Sequence, residues 1–171
     1  HDGGEQDMLV FFTRPTDIKG TVFRVQKVPN QDDNRWLYLP GLDLIKRISA
    51  GDKRTSFVGS HFFYEDISGR NPELDTFTFL SKTDSEYQIK GVPKAKGSVE
   101  FSYYIATIDK QNHLATGITF YDKSDKPYRS INALAVKDID GFMTTVKSKV
   151  TDMIAGGYTT MEFRFAKYNI G

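Results

Sequence analysis

At 171 residues the chain has the size of one domain with room for a sizeable core. Lys and Arg total 23 against 22 acidic residues, a net charge of +1, so the clustered basic excess of a nucleic-acid binder is missing. There is no cysteine, which removes disulfides, thiol chemistry and thiolate metal sites, and no apolar run approaches the roughly 20 residues of a membrane-spanning helix.

The chain opens on His1-Asp2-Gly3-Gly4 rather than Met, which reads as a processed product whose signal peptide has been removed. Met8-Leu9-Val10-Phe11-Phe12 then predicts a strand with both faces apolar. A turn region around Pro15 leads to a second strand over 21–28, with Phe23 and Val25 on one side and Arg24 and Gln26 on the other. The polar run 30–34 is a hairpin connection. Trp36-Leu37-Tyr38-Leu39 follows as a compact strand, broken by Pro40-Gly41, because proline lacks the donor and glycine tolerates the bend. Leu44–Ile48 is the next strand.

A basic, glycine-punctuated loop, Ala50–Ser60, ends in the aromatic and acidic run His61-Phe62-Phe63-Tyr64-Glu65-Asp66. The loop offers little to bury and is expected to be mobile, whereas the aromatic run is expected to be pinned. Residues 61–67 are the best short-helix candidate. If helical, they place His61, Glu65 and Asp66 on one face. Three metal ligands rarely come from one turn, so a structural role is expected for this cluster. Lys46, Arg47, Lys53 and Arg54 have two readings, an anionic headgroup site or a solvated edge.

Beyond Pro72 the pattern becomes regular. Strands are predicted over 74–82, 85–92, 99–108, 114–121, 128–139, 142–151 and 158–168, separated by turn sequences such as 109–112, 122–125 and Asp140-Gly141. This is an antiparallel meander. Alternation sets Val99, Phe101, Tyr103 and Ile105 against Glu100, Ser102 and Tyr104, and Met161, Phe163 and Phe165 against Thr160, Glu162 and Arg164. Phe101, Tyr103, Met161, Phe163 and Phe165 are therefore expected on one face of a single sheet. Pattern alone leaves that stripe open between packed core and ligand cavity. No nucleophile elbow, phosphate-binding glycine loop or cofactor motif occurs, so neither a catalytic residue nor a metal or cofactor is assigned.

The runs Trp36-Leu37-Tyr38-Leu39-Pro40, Arg47-Ile48-Ser49, Ser56-Phe57-Val58-Gly59-Ser60 and Tyr64-Glu65-Asp66, with Phe12–Thr21 upstream and Lys167–Gly171 at the end, resemble the LolA-like family of outer-membrane lipoprotein-sorting proteins. His61 and Phe63 depart from the family pattern, which has an acidic and a small polar residue there. The N-terminal helix and two strands that usually precede the position of Met8 are also missing. Truncation, or completion by another copy through the exposed sheet edge, would account for that. The resemblance implies a mainly β fold: a curved antiparallel sheet forming a half-open β-barrel over residues 1–171 as a single domain, with one or two short helices in the loop region.

It also turns the aromatic stripe into a ligand surface. The expected function is that of a periplasmic, non-catalytic carrier or sensor of lipid or lipoprotein acyl chains. Trp36, Tyr38, Phe101, Tyr103, Met161, Phe163 and Phe165 would line the cavity, and Arg54, Phe57, Phe62 and Tyr64 would contact an envelope transporter or outer-membrane acceptor. The alternatives are an adaptor subunit docking to an envelope lipid-export system, and a hydrolase using His61 with a nearby carboxylate.

Overall fold

The computed structural model describes residues 6–29 and 31–170. His1–Glu5, Asn30 and Gly171, and with them the opening residues and the first position of the predicted 30–34 connection, lie outside the described residues. The protein is mainly β, and its chain divides into two compact units, His1–Arg70 and Asn71–Gly171. Each unit carries one open antiparallel sheet, of four and seven strands respectively. This is the mainly β, open antiparallel fold expected, with its strands divided between two sheets. The reason lies in residues 49–74, which replace a hairpin turn with a long excursion of short helical turns between consecutive strands.

In the first unit, β1 (Gln6–Phe11), β2 (Val22–Lys27), β3 (Asn34–Leu39) and β4 (Leu44–Ile48) pair in sequence order. Register puts Val10 beside Phe23 and Leu37, and Val25 beside Arg35 and Ile48, on one face. The chain after β4 returns across that face. It inserts Phe57 and Phe62 and starts helix α1 (Tyr64–Ser68). Phe57 packs edge-on to Phe23 at 5.5 Å and to Tyr64 at 5.2 Å, and lies 5.0 Å from Phe12. Phe23, Phe57, Phe62 and Tyr64 are all buried, and each such side chain contributes roughly 1.5–3 kcal/mol. The Asp66 carboxylate accepts the Phe63 backbone N–H at 2.6 Å and so caps α1, which stops at Gly69 with φ 77°.

The second unit is a meander of β5 (Asp75–Lys82), β6 (Glu86–Pro93), β7 (Tyr103–Asp109), β8 (Ala115–Tyr121), β9 (Pro127–Ile139), β10 (Phe142–Asp152) and β11 (Tyr158–Glu162). Aspartates set its turns. Asp109 accepts the backbone N–H groups of Gln111 and Asn112, and Asp122 those of Ser124 and Lys126. Asp140 and Gly141 both have positive φ, the geometry a two-residue hairpin needs. β7 begins at Tyr103 and β11 ends at Glu162, so the predicted strands overshoot at Val99 and at Tyr168.

Candidate functional site

Directly paired residues of adjacent antiparallel strands project from the same face. Across the second sheet the pairs Phe79–Ile89, Ile89–Ala106, Ala106–Ile118, Ile118–Ile131, Ile131–Val150 and Val150–Thr159 join into one row crossing all seven strands. At about 4.8 Å per strand the row is roughly 29 Å long. The reverse face carries Thr78, Lys90, Ile105, Thr119, Ser130, Thr151 and Tyr158 in the same way, and is far more polar. Such alternation makes one face oily and the other wet.

The apolar row is not uniformly covered. Phe79 is 59% exposed, with Phe77 at 43% and Tyr87 at 38% beside it, whereas Ala106 is 3% and Val150 0% exposed. The row therefore opens at its β5 end and closes at its centre. Over that centre Phe101, which precedes β7, packs against Tyr104 at 5.8 Å and Phe120 at 5.1 Å. Tyr104 reaches across β6 and donates to Asp75 Oδ2 at 2.8 Å, a buried bond that satisfies both groups. Its path requires Gly91, because a Cβ there would sit 2.3 Å from the Tyr104 ring. The Arg129 guanidinium, also buried, lies 5.5 Å from the Phe120 ring centroid.

The residues expected from the sequence to line a cavity separate into several places. Met161 in β11 and Phe163 just past its end are half-buried, and Met161 pairs with Ser148 on the same face as the row. Phe101 reaches that face from outside the strand. Tyr103 does not: it pairs with Tyr121 on the wet face, the two rings stacked at 4.7 Å with Lys90 3.7 Å above Tyr103. Phe101 lies outside the ladder, so period-two counting does not carry through it into β7. Burial and the nearby Asp125 carboxylate raise the Tyr103 phenol above its ordinary range. Phe165 lies past the end of β11 and is 81% exposed.

Trp36 and Tyr38 belong to the first unit, where they pair with Arg24 and Val22 and so project opposite to Phe23 and Leu37. Arg24 lies over the Trp36 ring at 5.3 Å. Tyr38 donates to Asp43 at 3.1 Å, and that carboxylate raises its pKa. Phe57, Phe62 and Tyr64, expected at a partner, are core and present no surface to one. Arg54 is also committed, 2.9 Å from Glu65 and 5.1 Å from the Phe63 ring.

Glu65, 2% exposed, gathers three cations: Arg54, Arg70 at 3.1 Å and Lys53 at 3.8 Å. Lys53 also holds Asp32 at 3.0 Å, and its carbonyl accepts the Glu65 N–H at 2.8 Å. Breaking a buried pair of this kind costs about 3–5 kcal/mol. The Ala50–Ser60 loop is therefore tied to α1, contrary to its expected lack of anchoring groups, because cations that look solvated in sequence surround a buried carboxylate. Glu65 and Asp66 have structural partners, and among the described residues no group of three or more His, Asp or Glu forms a metal-binding cluster. A cleft of about 320 Å³ lies beside Asp32, Asp33, Arg47 and Ser49, but its two carboxylates are already paired with Arg35 and Lys53.

Phe77, Phe79 and Tyr87 were not singled out from the sequence. Their signal is present in Asp75-Thr76-Phe77-Thr78-Phe79, which alternates threonine and phenylalanine over an edge strand.

An open antiparallel meander with one oily and one wet face defines a class of β protein whose apolar face is available for packing or binding. The chain is similar to a DUF1329 family protein from Desulfovibrio piger, at 27% identity and a TM-score of 0.84, covering 99% of this chain and 74% of that one. It is similar as well to a domain described as an outer membrane lipoprotein-sorting protein from Vibrio parahaemolyticus, at 26% identity and a TM-score of 0.82, over 96% of this chain and 72% of that one. A LolA superfamily protein from Nitrosomonas europaea matches at 17% identity and a TM-score of 0.57, over 95% and 74%, a likeness of fold alone. The fold is LolA-like. A family model described as "Uncharacterized protein" matches residues 4–171, and the chain belongs to that family. No curated protein matches it.

Proposed function

We propose that this protein is a non-catalytic carrier or sensor of lipid or lipoprotein acyl chains, acting in the periplasm in outer-membrane lipoprotein or lipid traffic. The observation that carries the reading is the apolar row across the seven-stranded sheet, open at Phe77, Phe79 and Tyr87 and closed at Ala106 and Val150. An acyl chain docks at the open end, over Phe77, Phe79 and Tyr87, and reaches as far as the packed cluster of Phe101, Tyr104 and Phe120. The name of the Vibrio relative supports lipoprotein sorting as the setting; in that setting an envelope donor and an outer-membrane acceptor would be the partners. No helix among the described residues is long and apolar enough to cross a membrane. Each methylene taken from water contributes roughly 0.8 kcal/mol, so affinity follows chain length and release needs a competing apolar surface.

A second reading, an adaptor subunit of an envelope lipid-export system, is favoured by the outward face of the four-stranded sheet, where Leu9, Phe11 and Ile45 are exposed. Native mass spectrometry of protein taken from a bacterial envelope separates the two. The carrier arrives with bound lipid, and Phe79→Ser loses it while still melting cooperatively, since that side chain already reaches water. Wild-type protein free of lipid, and unable to take it up from vesicles, would leave the adaptor.

A further inference from the structure

The open end of the row has a charge pattern that specifies one end of the ligand. Lys82 pairs directly with Tyr87, which pairs in turn with Ile108, so its ammonium projects from the same face as the row. The Lys110 ammonium lies 4.8 Å from the Tyr87 ring centroid and donates to the Thr83 carbonyl oxygen. The nearest strand carboxylates, Glu86 and Asp109, pair with each other in the alternate register and so project from the wet face. At this rim Lys82 and Lys110 thus lie with the oily face and the Glu86 and Asp109 carboxylates face away from them, while Lys90, further along β6, lies on the wet face over Tyr103. Two lysines beside a half-open aromatic edge match a ligand with an apolar tail and an anionic head, and lysine binds phosphate as a compact point charge.

We propose that Lys82 and Lys110 form a headgroup subsite at the β5 end of the row and select acyl ligands whose phosphate headgroup carries net negative charge. The tail then lies toward Ile89 and Ile118, and the head stays at the rim in contact with water. This assignment rests on the carrier reading, and its test keeps the two apart. The Lys110 ammonium is already held by Thr83 and Tyr87, so binding a phosphate there costs little side-chain entropy.

The experiment titrates the full chain with monomeric lysophosphatidylglycerol and with lysophosphatidylcholine of equal chain length, at low and at physiological salt. Wild type binds the anionic lipid about tenfold more tightly, with the gap narrowing as salt rises. Lys82→Gln with Lys110→Gln removes the preference while leaving phosphatidylcholine binding in place. Lys82→Gln alone, at an exposed position, lowers the preference by about threefold without touching the Thr83 contact. Phe79→Ser, which removes apolar surface and adds no charge, weakens both lipids alike. If Phe79→Ser binds both as wild type does, the row is not the acyl site and the carrier reading fails. If Phe79→Ser loses both but the lysine variants keep the preference, the headgroup subsite alone is overturned. Inorganic phosphate binding as tightly as the anionic lipid overturns the lipid assignment in favour of a free-anion site. Flotation with phosphatidylglycerol vesicles without uptake of any lipid overturns it in favour of a membrane-surface contact.

Discussion

In the four-stranded unit, Phe57 and Tyr64 pack on Phe23 of the sheet, and together with Phe62, Val25 and Leu37 none of the six is more than 6% exposed. In the seven-stranded unit, Phe77, Phe79 and Tyr87 stand on an equally apolar sheet face yet remain 38–59% exposed. Composition does not separate the two. What differs is the connection. Residues 49–69 return over the first sheet with three aromatic side chains and an ion-pair latch at Glu65, whereas the turns of the second sheet are short and polar. Its longest connection, 94–102, delivers Phe101 over the centre of the face and leaves the β5 end bare. An apolar sheet face becomes core when the chain supplies its own cover, and a binding surface when it does not.

The largest expected effect tests that contrast directly. Phe57→Ala should destabilise the protein by about 3–5 kcal/mol, because it opens a cavity among Phe12, Phe23 and Tyr64. Phe79→Ala, the same truncation at an exposed site, should cost within about 0.5 kcal/mol. Urea denaturation of both variants measures the difference, and equal losses would show that Phe79 is core after all.

Smaller, but sharper in location, is Gly91→Ala. The new methyl group meets the Tyr104 ring, which Asp75, Phe101 and Phe120 hold in place, so overpacking should cost about 1–3 kcal/mol. Restoration of stability in Gly91→Ala combined with Tyr104→Ala, relative to Tyr104→Ala alone, would confirm that the clash is the cause. If Gly91→Ala is neutral, the closed centre of the row is softer than the four-stranded core.

The smallest effect reports on the closed side. Burial, and then the Asp52 carboxylate, raise the Tyr64 phenol above 10.0. Above pH 10.0 the unfolded chain releases that proton while the folded chain keeps it, so the folded state binds more protons and stability falls as pH rises. Below that pH the contribution is intact. The stability of wild type relative to Tyr64→Phe should therefore be constant to about pH 10 and fall above it. A constant offset across the alkaline range would place Tyr64 in water rather than against Phe23.

Much of this architecture was legible in the chain. The strand Leu44–Ile48 has the predicted bounds, and the meander of the second unit follows its aspartate-marked turns, because hairpin pairing and turn chemistry are local properties. The site was less legible. Phe77 and Phe79 carry an alternation visible in sequence, but Trp36, Tyr103 and Phe165 share the same aromatic character and face elsewhere.

The sequence by itself determined the class of fold, since strand periodicity and turn residues act through neighbours a few positions apart. Only the tertiary structure decided which apolar face is filled. Whether Phe57 covers Phe23, whether Glu65 collects Lys53, Arg54 and Arg70, and whether the face beneath Phe79 is left open all depend on where a long connection lands. That is a matter of packing between segments far apart in the chain, which local patterning does not encode.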